Sequence, residues 1–377
     1  MKLSPLAQRL ARMDQFRDAS WTVLAENVPV WPAVPPVPTM QWTDGDNAYG
    51  PSQGTAELLD ALALRGRAQG AALGPESLLV TNGGFDALAL ITRRLHTRGI
   101  RRVICAGPVL SSVVGLFESI GVEPVVLAWD DLFTGERWRG LGCGATDAFY
   151  LNTPHNPTGA CLAEDVAKQL LADQQRFGFQ LILDLVYDSF CFQDGCSGSP
   201  LAWVGNWQGV YAFNSFSKSY GAPGLRVGWL MAEPAVIPQL TAQFEMERIA
   251  VSTTAQTKAA ALCALGNRSL VDAVRRGRKL VLDWAAAERI EIAAGHGGTQ
   301  LWVDLQVGDS ERFADLLMER ERVVVTTGAN YHPVQPRYIR LPTGLDTATL
   351  TSGLEAIERV RRGAGAADLT FSGSAVR

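Results

Sequence analysis

From about residue 50 the chain alternates helix-length segments with short apolar runs, and this rhythm restricts its possible folds more than any other feature. The segment "GTAELLDALALRGRAQ" places apolar side chains at helical spacing. The runs "RRVICAG", "VEPVVLAW", "DAFYLN" and "FQLILDLVY" instead have the continuous apolar character of strands buried on both faces. Strands that recur between helices pair in parallel through crossovers, so residues 45–268 are expected to form a large α/β domain around a mostly parallel central sheet. A different order begins at residue 269. There "TQLWVDL", "SERFADLLMERE", "RVVVTTG" and "RYIRLP" read as strand, helix, strand and strand, closed by a helix at "TATLTSGLEAIERVRR". Residues 269–362 are therefore expected to form a smaller α+β domain, joined to the first by the long helix "LVDAVRRGRKLVLDWAAAE".

Residues 1–44 read as an N-terminal arm belonging to the smaller domain. The amphipathic "LAQRLARMDQF" precedes "VPVWPAVPPVPTM", whose five prolines forbid a helix and favour an extended path over a surface. The small, glycine-rich residues 363–377 read as a flexible tail. A length of 377 residues exceeds the size at which one core usually stops growing, which agrees with two domains or with one large α/β domain carrying appendages.

Net charge is −4, which gives the chain no long-range pull toward nucleic acid or an anionic membrane. No apolar run approaches the roughly 20 residues of a membrane span, and the first residues lack the core of a secretion signal. The expected compartment is the cytoplasm. Six cysteines (Cys105, Cys143, Cys161, Cys191, Cys196, Cys263) at irregular spacing read as reduced, buried small hydrophobes. The four histidines are too dispersed to suggest a metal site, and no metal is expected.

In an open parallel sheet, ligands bind beyond the carboxyl ends of the strands. Four such loops stand out. "LLVTNGGFDALALITRRL" leaves the amides of Gly83, Gly84 and Phe85 at the start of a helix, where they serve either as an anion cradle or as a plain strand–helix turn. "YLNTPHNPTGACL" fixes Asn156 between proline-restricted neighbours, which suits an amide aimed into the crevice and equally suits a structural turn. In "LILDLVYDSF", Asp184 ends a run that reads as a buried strand, and a carboxylate there needs a cationic or proton-donating partner. In "AFNSFSKSYGAPGLRVGW", Lys218 sits among serines. It is either a solvated lysine or an amine poised for Schiff-base chemistry.

Together "NPTG", "D-x-x-Y", "S-x-S-K" and "GLRVG" occur in the order and approximate spacing of the pyridoxal-phosphate-dependent class I/II aminotransferases, which the chain resembles over nearly its whole length. The resemblance implies a fold type I transferase with pyridoxal 5'-phosphate as cofactor. Lys218 is similar to the lysine that holds the cofactor as an aldimine and then moves protons at the substrate's α-carbon. Asp184 resembles the aspartate that keeps the pyridine nitrogen protonated, and Tyr187 and Asn156 resemble the pair that binds the ring's phenolic oxygen. Gly84, Phe85, Ser215, Ser217 and Arg226 match the phosphate-holding positions, and Tyr49 matches a tyrosine that reaches the phosphate of a partner subunit. Val186 is similar to the small residue beneath one face of the ring. Leu110 departs from the family by standing where an aromatic ring generally stacks. Arg340 lies where the family keeps an arginine for the substrate α-carboxylate.

The resemblance further implies a cis Asn156–Pro157 peptide, a homodimer with shared sites, and an α-amino acid and 2-oxo acid as small-molecule partners. The expected activity is transamination. The alternative on the same scaffold is elimination, replacement or cyclisation, since "FSKSYGAPGLRVGW" also resembles cyclases of the capreomycidine synthase type. A non-catalytic effector-binding module is a third class, disfavoured by the intact catalytic set. Trp21, Trp31, Glu245 and Arg248 are candidates for recognising the substrate side chain.

Overall fold

The computed structural model describes residues 3–14, 20–39, 47–192, 199–293 and 295–363. Cys196, residues 40–44 of the arm and the tail from 364 onward lie outside the described residues. The strands in chain order are β1 (Thr22–Leu24), β2 (Leu78–Thr81), β3 (Arg102–Gly107), β4 (Val109–Leu110), β5 (Glu123–Ala128), β6 (Asp147–Asn152) and β7 (Gln180–Asp184). They continue with β8 (Val210–Ser215), β9 (Gly228–Met231), β10 (Glu291–Ile292), β11 (Gln300–Asp304), β12 (Val323–Thr327), β13 (Tyr331–His332) and β14 (Tyr338–Pro342).

A seven-stranded sheet has the order β2-β9-β8-β7-β6-β3-β5. From β5 through β8 all neighbours are parallel. Strand β9 runs antiparallel between β8 and β2. The reason lies in the connection: residues 216–227 form a compact turn with no crossover helix, so the chain re-enters the sheet from the end it has just left. Strands β6 and β8 are buried along their whole length around the apolar runs Ala148–Leu151 and Val210–Phe213.

The second sheet has five strands in the order β1-β12-β14-β11-β10 and its own apolar core. Strand β1 of the arm pairs in parallel with β12, Thr22 opposite Val323. Helix Pro5–Asp14 is tied to the same sheet's outer helix by the buried Arg9, whose Nη2 lies 3.0 Å from Glu311 and whose Nε lies 3.3 Å from Asp315. The arm is thus integrated into the smaller sheet. Strands β4 and β13 pair antiparallel, Leu110 opposite Tyr331, and stitch the two sheets together. Among the described residues no helix is long and apolar enough to cross a membrane.

Candidate active site

The carboxyl ends of β3, β6, β7 and β8 open onto a cavity of about 300 Å³ lined by Ala106, Asn152, Asp184 and Ser215 from those strands. One end of this cavity gathers the groups expected to form an anion cradle. Gly83 precedes helix Gly84–Thr97 with φ +92°, and a Cβ there would lie 2.7 Å from Arg226 Nη2. Gly228 on β9 would press a Cβ to 2.8 Å from the Gly84 nitrogen. Two glycines therefore let the helix start, β9 and the guanidinium approach one another. Arg226 has φ +52°, a left-handed conformation that costs a non-glycine residue about 1–2 kcal/mol. It donates to the carbonyls of Pro223 (3.2 Å) and Asn82 (3.3 Å). Ser215 and Ser217 are linked by a 2.9 Å hydroxyl hydrogen bond beside it.

Deeper in, Asp184 is only 8% exposed. Tyr150 donates its hydroxyl to Oδ2 at 2.6 Å and the Val186 amide donates to Oδ1 at 3.2 Å. Burial outweighs both donors and pushes the carboxyl up to about 6. Asn152, opposite Asp184 in the β6–β7 register, donates to the Asp184 carbonyl and accepts from the Asn156 amide at 2.7 Å. Its side chain thereby ties the loops that follow β6 and β7 to one strand end.

Asn156 Oδ1 accepts from Tyr331 (2.9 Å) and Arg340 Nη1 (3.3 Å), which leaves the amide nitrogen as the donor for a ligand. The Asn156–Pro157 peptide is cis, as expected. Tyr187 accepts a 3.0 Å hydrogen bond from Asn27, and burial raises the tyrosine above its ordinary range. Arg340 is buried. It donates to the Ala25 carbonyl (2.7 Å) and Tyr331 (3.0 Å), while its Nε has no partner.

Lys218 lines both this cavity and an adjoining one of about 430 Å³. Its amine is pushed down to about 7, first by desolvation and then by the positive charges of Arg340 and Arg226, with Glu26 opposing. Leu110, Val186 and Phe85 line the first cavity with apolar surface. Tyr49 does not line either cavity and is 83% exposed.

The four candidates for side-chain recognition line neither cavity. Arg248 pairs with Asp86 and Glu247, and Trp31 donates to the Tyr220 carbonyl at 2.7 Å. Residues that sequence reasoning passed over stand in their place: Tyr150, Asn152, Asn27, Glu26 and Tyr331 all touch the two cavities or hold groups that do. Tyr150 and Asn152 carry a readable signal, because alternate positions on a strand end share the face that Asp184 occupies.

A sheet with these strand-end groups, a lysine lowered to near neutrality and an anion cradle defines a fold type I transferase. The family model for aminotransferases of class I and II matches residues 33–357, and the chain belongs to that family, whose members depend on pyridoxal phosphate. It is 53% identical over 368 residues to the 3-methylarginine biosynthesis aminotransferase ArgM of Streptomyces arginensis, covering 97% of this chain and 99% of that protein. It is 34% identical to the L-aspartate:5-guanidino-3-methyl-2-oxopentanoate transaminase of Pseudomonas syringae pv. syringae, covering 95% and 94% of the two. The crystal structure of aspartate aminotransferase from Thermotoga maritima has the same fold, with a TM-score of 0.80 at 22% identity over 95% of this chain and 96% of that one. The chain is an enzyme, an aminotransferase of this family.

Proposed function

We propose that this enzyme holds pyridoxal phosphate on Lys218 and transfers the amino group between an α-amino acid and a guanidino 2-oxo acid of the arginine type, methylated or not. The observation that carries the cofactor assignment is the convergence of Lys218, Asp184, Asn156, Tyr187 and the Arg226 cradle on one cavity. The donor set suits the cofactor group by group: glycine-cleared amides, two hydroxyls and a guanidinium for a phosphate, an amine for an aldehyde, and a buried carboxyl for a ring nitrogen. The substrate class rests on the activities of two relatives that match almost end to end.

Bound there, pyridoxal phosphate supplies an electron-withdrawing ring that stabilises negative charge at the substrate's α-carbon. The protein's own groups do the rest. Asp184 would hold the ring nitrogen, and its carboxylate would favour the protonated form of that nitrogen. Tyr187 and Asn156 would donate hydrogen bonds to the ring oxygen. Arg340, whose Nε has no partner in the protein, would receive the α-carboxylate and thereby orient the α-hydrogen toward Lys218. The Lys218 amine, neutral above about pH 7 in the cofactor-free protein, is the group that would hold and move that proton. Tyr49, exposed on one chain, would complete the phosphate site of a second copy in a homodimer.

Nitrogen-15 tracing tests this reading. Labelled L-aspartate incubated with the enzyme and a panel of 2-oxo acids should deliver label to 5-guanidino-2-oxopentanoate or its 3-methyl form ahead of aliphatic, aromatic and acidic acceptors. Equal or preferential labelling of those other acceptors contradicts the substrate assignment.

A further inference from the structure

Two cavities meet at Lys218, and their charged lining residues can be accounted for one by one. The lining cations are Lys218, Arg226 and Arg340, and the lining carboxylates are Asp184 and Glu26. In the proposed function Arg226 is used by the phosphate, Arg340 by the substrate α-carboxylate, Lys218 by the cofactor aldehyde and Asp184 by the ring nitrogen. Glu26 alone is left over.

Its position is set by the backbone. The Ala25 carbonyl accepts from Arg340, and Asn27 donates to Tyr187, so the intervening residue is anchored on both sides to the catalytic groups. Glu26 lines the cavity of about 430 Å³ together with Arg340, Lys218, Leu10 and Leu110. Among the described residues it has no hydrogen-bond or ion-pair partner. Its charge reaches Lys218, where it opposes the downward push of the two arginines.

We propose that Glu26 determines side-chain specificity by pairing with the guanidinium of the substrate, at the mouth of the cavity whose inner end holds the α-carboxylate on Arg340. This rests on the guanidino-acid reading above and supplies the residue that enforces it. A carboxylate and a guanidinium match as planar, two-oxygen and two-N–H surfaces with opposite charge; an ammonium lacks the planar fork, and a neutral urea keeps the fork but lacks the charge. Leu10 and Leu110 provide apolar surface for the methylene chain between the two ends. The same charge repels an acidic side chain, so Glu26 acts in opposite directions on the two substrates of an exchange that uses aspartate.

The test compares kcat/KM for L-arginine, its neutral ureido analogue L-citrulline and L-aspartate in the holoenzyme and in Glu26→Gln and Glu26→Asp. The binding of 5-guanidinopentanoate, which lacks the reacting amine, is measured alongside by calorimetry. In Glu26→Gln the arginine-to-citrulline preference should fall roughly tenfold, the low end for a hydrogen-bonded charge at an exposed position. Binding of 5-guanidinopentanoate should weaken by a similar factor, KM for aspartate should fall, and Glu26→Asp should restore part of the preference. A preference for arginine that survives Glu26→Gln undiminished overturns the role of Glu26 and leaves the guanidino reading standing. A wild-type enzyme with no preference for arginine over citrulline overturns the guanidino reading itself.

Discussion

The cofactor-free enzyme should be destabilised by the buried carboxylate of Asp184, and the size of the effect follows from its burial. Burial moves this group from its ordinary value of 3.8 to about 6, a gap that corresponds to about 3 kcal/mol. The unfolded chain releases the proton near 3.8 and the native chain near 6. Between these values the native state holds the extra proton, so stability falls as pH rises and the full penalty applies above about pH 6. Roughly half has accrued by pH 5, which leaves about 1.4 kcal/mol to accrue between pH 5 and pH 8. Asp184→Asn does not ionise and escapes this loss. The amide gives up one of the two acceptors now used by Tyr150 and Val186, a constant cost of about 1–2 kcal/mol that does not vary with pH. Urea unfolding of both cofactor-free proteins from pH 5 to pH 8 should therefore show the variant gaining about 1.4 kcal/mol on the wild type. A difference that stays constant with pH, or shrinks as pH rises, refutes the claim that burial dominates at Asp184.

Lys218→Ala should lose the cofactor link that borohydride fixes, and a retained adduct would assign the role to another lysine. In the cofactor-free wild type, capture of pyridoxal phosphate should accelerate through about pH 7 as the Lys218 amine loses its proton, and Arg340→Met should move that midpoint upward by removing a cation that lowers it; an unmoved midpoint contradicts the coupling. The same variant should raise KM for α-amino acids by roughly 10–100-fold while leaving amines without an α-carboxylate little affected. Leu110→Tyr in the Lys218→Ala background should tighten cofactor binding about 2–10-fold through ring stacking, and weaker binding would mean that a substrate group fills that space.

Much of this site was legible because the chemistry is concentrated in strand-end loops with tight local demands. Asp184, Asn156, Lys218 and Arg226 each stand at a fixed offset from a strand whose apolar run is plain in the sequence, and Gly83 and Gly228 mark close approaches that no other residue permits. The residues that escaped notice depend on long-range packing. Asn27 lies 160 positions from Tyr187 and 273 from Gln300, and only the pairing of β1 with β12 brings it and Glu26 to the cavity. Strands β4 and β13 are two residues each, too short for any periodicity, yet they set Leu110 opposite Tyr331. Arg248 and Trp31 misled as specificity candidates because charge and aromaticity mark a residue that needs a partner without saying which. Here the partners are Asp86 and a backbone carbonyl.

The most direct test of the central claim is a half-reaction with no amino acceptor present. Holoenzyme mixed with excess L-arginine should release about one equivalent of 5-guanidino-2-oxopentanoate per subunit, seen by mass spectrometry, with the cofactor recovered in its amine form and Lys218 free of borohydride-reducible label. Catalytic release of ammonia, or a cyclised or eliminated product with the cofactor still in its aldehyde form, would contradict transamination and place the enzyme with the other chemistries of this scaffold.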